Sequence, residues 1–121
     1  MLGRNLPLQP LDLARRTVDI LADRKAVDVV LLDIRPVASF ADYFVICSGT
    51  SERQMQALTD AVVEALEPEG AKPVQIEGTP DSGWILMDYG DVIVHIFYPP
   101  TRDYYRLERI WAEAPTVVRV Q

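Results

Sequence analysis

Residues 42–54 read Asp-Tyr-Phe-Val-Ile-Cys-Ser-Gly-Thr-Ser-Glu-Arg-Gln, and their pattern predicts a buried strand followed by a helix. The apolar run Tyr43–Cys47 predicts a strand covered on both faces, because a strand with one wet face alternates apolar and polar residues. Ser51 and Gln54 have the spacing of a capping box, in which each side chain bonds the backbone N–H of the other at a helix N-terminus. A strand in the middle of the sheet therefore leads through a short turn into a helix, the geometry with which α/β proteins present backbone donors to an anion or a partner.

The composition indicates one compact domain. The chain has 121 residues, enough for one domain with its own core, and 49% of them are hydrophobic. It contains no apolar run of roughly 18 residues that could span a membrane, and residues 1–10 lack the layout of a signal peptide. We therefore expect a soluble cytoplasmic protein, and the single cysteine suits that reducing compartment.

The formal net charge of −6 indicates which partners suit the protein. Proteins that bind nucleic acids cluster Lys and Arg against the phosphates, so an acidic chain argues against nucleic acid as the main contact. Charge complementarity speeds the encounter of an acidic protein with a basic one. The composition therefore favours a basic protein surface as the partner.

The first part of the chain predicts a helix and an antiparallel pair of strands. Residues 1–9 carry no pattern, and we expect a flexible terminus there. Residues 10–26 carry apolar side chains at helical spacing and predict an amphipathic helix. The aliphatic run 29–32 predicts a second buried strand. Only residues 34–41 separate it from the strand at 43–47, too few for a parallel crossover, so these two strands should pair antiparallel.

The segment after the capping box predicts a helix and an edge strand. The helix ends at Pro68 and Gly70, which cannot continue it. Its apolar face consists of Met55, Leu58, Val62 and Leu66. Residues 74–77 alternate apolar and polar side chains, as in an exposed edge strand, and a loop at residues 78–83 follows. The connection from residue 47 to residue 74 is long enough for a parallel crossover.

Residues 84–97 predict a hairpin with a two-residue turn at Tyr89 and Gly90. With that turn, one side of the hairpin carries Asp88 opposite Asp91, Leu86 opposite Ile93, Trp84 opposite His95, and also Phe97. The other side is wholly aliphatic and should face the core; it carries Ile85, Met87, Val92, Val94 and Ile96. The first side, here named the mixed face, combines aromatic, acidic and apolar side chains as protein contact surfaces do, and we take it as the candidate docking face.

The C-terminal part predicts a last helix and leaves the final residues undecided. Pro99 and Pro100 break the preceding strand, Thr101 can cap the helix, and Pro115 stops it. The buried face of this helix should consist of Tyr104, Leu107 and Trp111. Residues 117–120 fit either a short strand or a trailing tail. We expect a single α/β domain at residues 10–112, with a mixed sheet of about five strands and three main helices, and a tail at residues 113–121.

Three groups of residues permit chemical alternatives. Cys47 and His95 could act as nucleophile and base, although a cysteine that ends a buried strand is commonly a small hydrophobe. Ser48–Ser51 could hold a phosphate or could simply cap the helix, and it lacks the glycines and lysine of a Walker loop. Three aspartates near the hairpin turn could hold Mg²⁺ or could simply be solvated. They are Asp42, Asp88 and Asp91.

Two long motifs are the most distinctive features of the sequence: Ser-Phe-Ala-Asp-Tyr-Phe-Val-Ile-Cys-Ser-Gly-Thr-Ser-Glu-Arg-Gln at 39–54, and Asp-Tyr-Gly-Asp-Val-Ile-Val-His-Ile-Phe at 88–97. Shorter motifs accompany them: Leu-Asp-Ile-Arg at 32–35, Glu77-Gly78, Ser82-Gly83-Trp84, and Tyr105-Arg106-Leu107-Glu108 with Trp111. In this order, over roughly residues 11–111, they resemble the ribosomal silencing factor (RsfS, Iojap-like) family.

The resemblance implies a factor that binds the large ribosomal subunit through its fourteenth L-series protein. It implies that the bound factor blocks association with the small subunit and so represses translation, with no catalysis and no cofactor. The family's fold resembles a reduced nucleotidyltransferase, with Gly49-Thr50-Ser51 in place of a Gly-Ser pair. An active transferase also needs two spaced carboxylates on the next strand, and that strand offers only Glu77.

The resemblance also implies which residues contact the partner. The family's shared surface positions fall on Trp84, Asp88, Tyr89, Gly90, Asp91 and His95, most of which belong to the mixed face. We hypothesise that Trp84 is the anchor on an apolar bed, that the aspartates meet lysine or arginine, and that Gly90 allows close approach. The bed consists of Leu86, Ile93 and Phe97. Two alternatives stay open: a residual nucleotide-binding enzyme, and a homodimer that uses the same face when free.

Overall fold

The computed structural model describes residues 8–121, apart from the side chain of residue 110, so most of the terminus at residues 1–9 lies outside the described residues. The helices are α1 Pro10–Asp23, α2 Glu52–Leu66, α3 Pro99–Tyr105 and α4 Leu107–Ile110. The strands are β1 Val27–Asp33, β2 Tyr43–Ser48, β3 Gln75–Thr79, β4 Trp84–Asp88, β5 Val92–Phe97 and β6 Thr116–Val120. They form one mixed sheet in the order β3-β4-β5-β2-β1-β6. The predicted single α/β domain is confirmed, with six strands where about five were expected.

Strand β2 lies in the interior of the sheet, as its apolar run predicts. All six of its residues are buried. It pairs antiparallel with β1, which confirms that prediction, and parallel with β5. A central strand has both faces and both edges covered, which is why its sequence shows no alternation.

Only one of the two hydrogen bonds of the predicted capping box forms at the N-terminus of α2. Ser51 Oγ accepts a hydrogen bond from the backbone N–H of Gln54 at 3.0 Å. Gln54 Oε1, however, accepts from the backbone N–H of Thr50 at 2.6 Å and from Thr50 Oγ1 at 2.9 Å. The side chain of Gln54 therefore bonds Thr50, one residue before the N-cap Ser51, and links the turn to the first turn of the helix.

The connection through α2 is a crossover that passes over two strands of the sheet. The helix ends at Leu66, and Gly70, with φ +92°, turns the chain back. Strand β3 then runs in the same direction as β2, but β5 and β4 lie between them. It is the edge strand that was predicted, and all five of its residues are exposed.

Helices α1 and α2 cover one face of the sheet. The aliphatic side of the β4–β5 hairpin faces this core, as predicted, and these residues are at most 2% exposed: Ile85, Met87, Val92, Val94 and Ile96. The opposite face is covered in part. Residues 34–41 and 107–114 contribute to a second apolar cluster with β1, β2 and the end of β5. The alternate residues of β4 that face this way are only half-buried.

The predicted register of the β4–β5 hairpin is wrong by two residues. Trp84 pairs with Phe97, and Asp88 pairs with Ile93. The turn is longer than two residues because Asp88 Oδ1 accepts from the backbone N–H of Gly90 at 2.7 Å, while Tyr89 N–H bonds Val92 O at 2.9 Å. A shift by two residues leaves every side chain on its face, so the composition of the two sides is as predicted.

The last helix is broken, and of its predicted buried face Leu107 and Trp111 pack on the second apolar cluster whereas Tyr104 does not. Arg106, with φ +52°, separates α3 from α4 and resets the helical period. Tyr104 is consequently 81% exposed, whereas Leu107 is buried. Thr101 does not cap, and α3 begins with Pro99 in its first turn.

The final residues form a strand, the first of the two alternatives. Strand β6 pairs antiparallel with β1 and completes the sheet at its second edge. Ala114, just before it, is buried, and Pro115 O accepts from the backbone N–H of Asp33 at 2.9 Å. Among residues 8–121, no helix is long and apolar enough to cross a membrane.

Candidate protein-docking site

The mixed face is divided into an exposed rim and a buried floor. Trp84, Leu86, Asp88 and Ile93 are half-buried, and Gly90 and Asp91 are exposed. His95 and Phe97, by contrast, are only 4% and 0% exposed. Both residues therefore lie beneath the surface. Phe97 lies under Trp84, as expected for the apolar bed, whereas His95 was predicted as a contact residue and is buried instead.

Trp84 is held in place on that floor. Its indole Nε1–H donates to Nδ1 of His95 at 3.2 Å. Its ring stacks on Phe97 with centroids 4.9 Å apart and lies 4.7 Å from the ring of Tyr105. The indole thus has the polar partner that a packed tryptophan requires, and it is ordered before any partner binds.

His95 supports Trp84 instead of facing solvent. Because Nδ1 accepts the indole proton, Nε2 carries the imidazole hydrogen, and no acceptor for it exists among residues 8–121. The imidazole lies edge-on to Phe44, with centroids 4.6 Å apart. Burial lowers the pKa of His95 to about 3, so the ring is neutral at physiological pH. We assign it as a positioning residue for Trp84.

The turn at residues 89–92 places its side chains on different faces. Tyr89 packs against the cluster under α1 and α2, and burial raises the pKa of its hydroxyl to about 12. It therefore lies away from the mixed face, because the turn rotates it toward the helical layer. Asp91 stays exposed at the rim, and its carbonyl accepts from the backbone N–H of Asp42 at 2.7 Å. Gly90, with φ +91°, adopts a conformation that favours glycine.

The edge strand β3 extends the mixed face, which the sequence reasoning missed. The β3–β4 register places Gln75 opposite Asp88, Glu77 opposite Leu86, and Thr79 opposite Trp84. Directly opposed residues in an antiparallel pair point to the same side of the sheet. The alternation of residues 74–77 was the available signal, but the glycine-rich segment after it suggests a loop and hides the second hairpin.

Cys47 and His95 are separated by the sheet. Cys47 pairs with Ile96 and belongs to the cluster under the helices, whereas His95 contacts Phe44 on the other side. Burial raises the pKa of the Cys47 thiol to about 12, which keeps it protonated. The arrangement therefore gives neither residue a role as nucleophile and base with the other.

Two backbone donors of the turn at Ser48–Ser51, those of Gly49 and Thr50, bond other groups of the protein. The backbone N–H of Gly49 donates to Phe97 O at 2.8 Å, and those of Thr50 and Gln54 bond side chains of the same turn. A Cβ at Gly49 would approach Met55 Cγ to 2.8 Å, so the glycine accommodates the helix instead of leaving room for a ligand. Within residues 8–121, no three His, Cys, Asp or Glu side chains gather as a metal site.

The fold and the site define a small α/β domain that has one partly uncovered sheet face with a pre-ordered tryptophan. A family model described as ribosomal silencing factor during starvation (RsfS) matches residues 7–121, so the chain belongs to this family. The match includes the C-terminal strand, which the sequence motifs alone did not reach.

Individual relatives agree with this assignment. The protein named ribosomal silencing factor RsfS from Halalkalibacterium halodurans is 39% identical over 106 residues, which cover 88% of this chain and 91% of that protein. A crystal structure of a protein from Chromobacterium violaceum has a TM-score of 0.83 at 32% identity and covers 87% of this chain and 88% of its own. The Mus musculus protein named mitochondrial assembly of ribosomal large subunit protein 1 is 34% identical over 97 residues, 78% of this chain and 42% of that protein.

Proposed function

We propose that this protein is a cytoplasmic ribosomal silencing factor that binds the large ribosomal subunit through the fourteenth L-series protein. The bound protein would occupy the face where the small subunit docks and so repress translation. Membership of the family supports the silencing role, and the name of the mouse relative supports association with the large subunit. The observation that carries the docking site is the half-exposed indole of Trp84, fixed on a rigid floor.

The charge of the mixed face supports a basic protein as partner. Glu77, Asp88 and Asp91 lie on or beside the face, and the chain as a whole carries a net charge of −6. Ribosomal proteins that neutralise RNA are rich in Lys and Arg, and the phosphates of RNA would be repelled by these carboxylates. We therefore place the contact on protein, with RNA at most at its edge.

The mechanism that we propose is steric and makes or breaks no covalent bond. A domain of this size, seated on the large subunit, excludes any surface that must occupy the same place. An apolar and aromatic centre with an acidic rim is suited to such a contact, because the buried centre supplies affinity and the rim supplies encounter rate. The side chains of the mixed face therefore need only bind the partner protein, and none of them needs a catalytic role.

The direct test of silencing is a sucrose-gradient profile of purified large and small subunits mixed with the pure protein. We expect fewer joined ribosomes as the protein is added. Joined ribosomes in normal proportion at saturating protein would contradict the proposed function. Light scattering of the free protein, with and without the ribosomal partner, measures the competing use of the same face for self-association.

The anchor is tested with Trp84→Ala and the purified fourteenth L-series protein. We expect binding to weaken by about 30-fold or more, as for an interface hot spot. Tyr98→Ala is the matched control, because Tyr98 is a 43% exposed aromatic residue beyond the end of β5. If Trp84→Ala does not fold, Leu86→Lys tests the same face at a half-buried position. Undiminished binding by a folded variant would remove the anchor.

A further inference from the structure

A cleft of about 290 Å³ lies beside Trp84, at the outer end of the mixed face. Its lining consists of Glu77, Gly78, Ser82, Trp84, Leu86 and Tyr105, and we name it the Trp84 slot. We propose that the Trp84 slot receives one lysine or arginine side chain of the protein partner. The inference rests on the proposed function, and it adds the chemistry by which the partner is recognised.

The walls of the slot are apolar and its end is acidic. The rings of Trp84 and Tyr105 lie 4.7 Å apart by their centroids, and Leu86 continues the apolar wall. Glu77 stands directly opposite Leu86 in the β3–β4 register, so its carboxylate belongs to the same side of the sheet. An occupant must therefore be apolar along its length and polar or charged at its tip.

Glu77 determines that the tip of the occupant's side chain must be positively charged. It is the one ionisable carboxylate in the lining, and no Lys or Arg among residues 8–121 forms an ion pair with it. The side-chain amide of Gln75 donates to it, which leaves further lone pairs free to accept from a cation. A carboxylate or phosphate in the slot would be repelled.

A lysine or arginine side chain meets each of these requirements. Its methylene stem covers apolar surface while its charged head reaches the carboxylate. A cation near the indole or the phenol ring also gains cation–π attraction. A volume of about 290 Å³ is sufficient for one long side chain.

The close approach of β3 to β4 and the turn that joins them fix one wall of the slot. Gly78 has φ +84°, and a Cβ at this position would collide with the carbonyl oxygen of Trp84. Ser82 Oγ donates to Thr79 O at 2.7 Å and closes the turn at residues 80–82. A wall that is fixed before binding loses little conformational entropy when the partner arrives, which favours specific recognition.

The experiment measures binding of the purified fourteenth L-series protein by calorimetry to Glu77→Gln and Glu77→Lys. We expect about five- to tenfold weaker binding for Glu77→Gln and a larger loss for Glu77→Lys. Glu113→Gln is the control, because Glu113 is an exposed acid outside the mixed face and should bind normally. Substituting the partner's lysines and arginines one at a time with Glu should identify one variant whose binding Glu77→Lys restores.

The outcomes separate the slot from the proposed function. Normal binding by both Glu77 variants, together with lost binding by Trp84→Ala, would overturn the slot and leave the docking face intact. Normal binding by Trp84→Ala, together with normal subunit joining in the presence of the wild-type protein, would instead refute the proposed function itself.

Discussion

Trp84 Nε1 donates to Nδ1 of His95 diagonally across the β4–β5 ladder, at 3.2 Å, whereas the residue directly opposite His95 is Leu86. Diagonal neighbours lie within reach of long and aromatic side chains. The bond orients the indole over Phe97 and fixes the tautomer of the imidazole. The proposed anchor, Trp84, thus depends on a buried histidine that can accept the indole hydrogen only while the imidazole is neutral.

We predict that His95 makes the protein less stable in acid. The pKa of His95 is about 3 in the folded protein and about 6.5 when unfolded. Between these values the unfolded chain binds more protons, so the free energy of unfolding should fall as the pH falls, by up to about 1.4 kcal/mol per pH unit. Urea denaturation at about pH 7, 6 and 5 measures the free energy of unfolding at each pH.

The variant His95→Asn supplies the comparison for that prediction. An asparagine amide oxygen occupies nearly the place of Nδ1 and can accept from Trp84, but it does not titrate. We expect a weaker dependence on pH than in the wild type over this interval, since all other groups are shared. Equal slopes for the two proteins would show that His95 is not the group responsible.

Arg102 should be essential for attaching the C-terminal segment to the sheet. It is 7% exposed, donates to Ser48 Oγ at 2.9 Å, and binds Glu108 at 2.7 Å. Arg102→Met should lower the free energy of unfolding by about 2–4 kcal/mol, because a half-buried carboxylate and the end of β2 lose their donor. Arg102→Lys should recover part of this. Chemical denaturation measures both, and a neutral effect of Arg102→Met would contradict the assignment.

Two glycines with similar positive φ angles should tolerate alanine very differently. Gly70 has φ +92° with open space around it, so Gly70→Ala should cost about 1 kcal/mol of unfolding free energy. Gly78 has φ +84° and faces the backbone of Trp84, so Gly78→Ala should cost several times more and should disturb the tryptophan. Denaturation curves followed by tryptophan fluorescence test both effects; similar costs would contradict the close approach at Gly78.

Deleting residues 113–121 should destabilise the whole domain. The deletion removes β6 and leaves β1 as an unprotected edge, with the backbone N–H of Asp33 deprived of Pro115 O. An uncovered strand edge favours aggregation. We expect a lower melting temperature and concentration-dependent light scattering, with the shorter deletion of residue 121 alone as control. An unchanged melting temperature would mean that this segment is the dispensable tail that the sequence allows.

Local patterns were sufficient to predict several parts of this fold. The unbroken apolar run of β2 predicts burial on both faces, and the whole strand is buried. The alternation in β4 and β5 predicts which residues face the core, because the period of two depends only on the backbone. Ser51 predicts the helix start because its cap bond is made within four residues.

Other features depend on contacts between residues far apart in the sequence. The hairpin register follows from the bond between Asp88 and Gly90, which the turn sequence did not reveal. The strand order, with β3 two places beyond β5, depends on where α2 packs. Tyr104 becomes exposed because Arg106 takes a left-handed conformation, and no apolar period signals such a break.

The mixed face shows the same division between sequence and structure. The sequence by itself determined which side of the hairpin carries Trp84 and the acidic residues, since side-chain direction is set by the backbone of each strand. Only the tertiary structure decided that His95 lies beneath Trp84 and that Glu77 joins the surface. Which residues are buried, and which side chains they contact, depends on how segments that are distant in the sequence pack together. The residue pattern of a single strand does not contain this information.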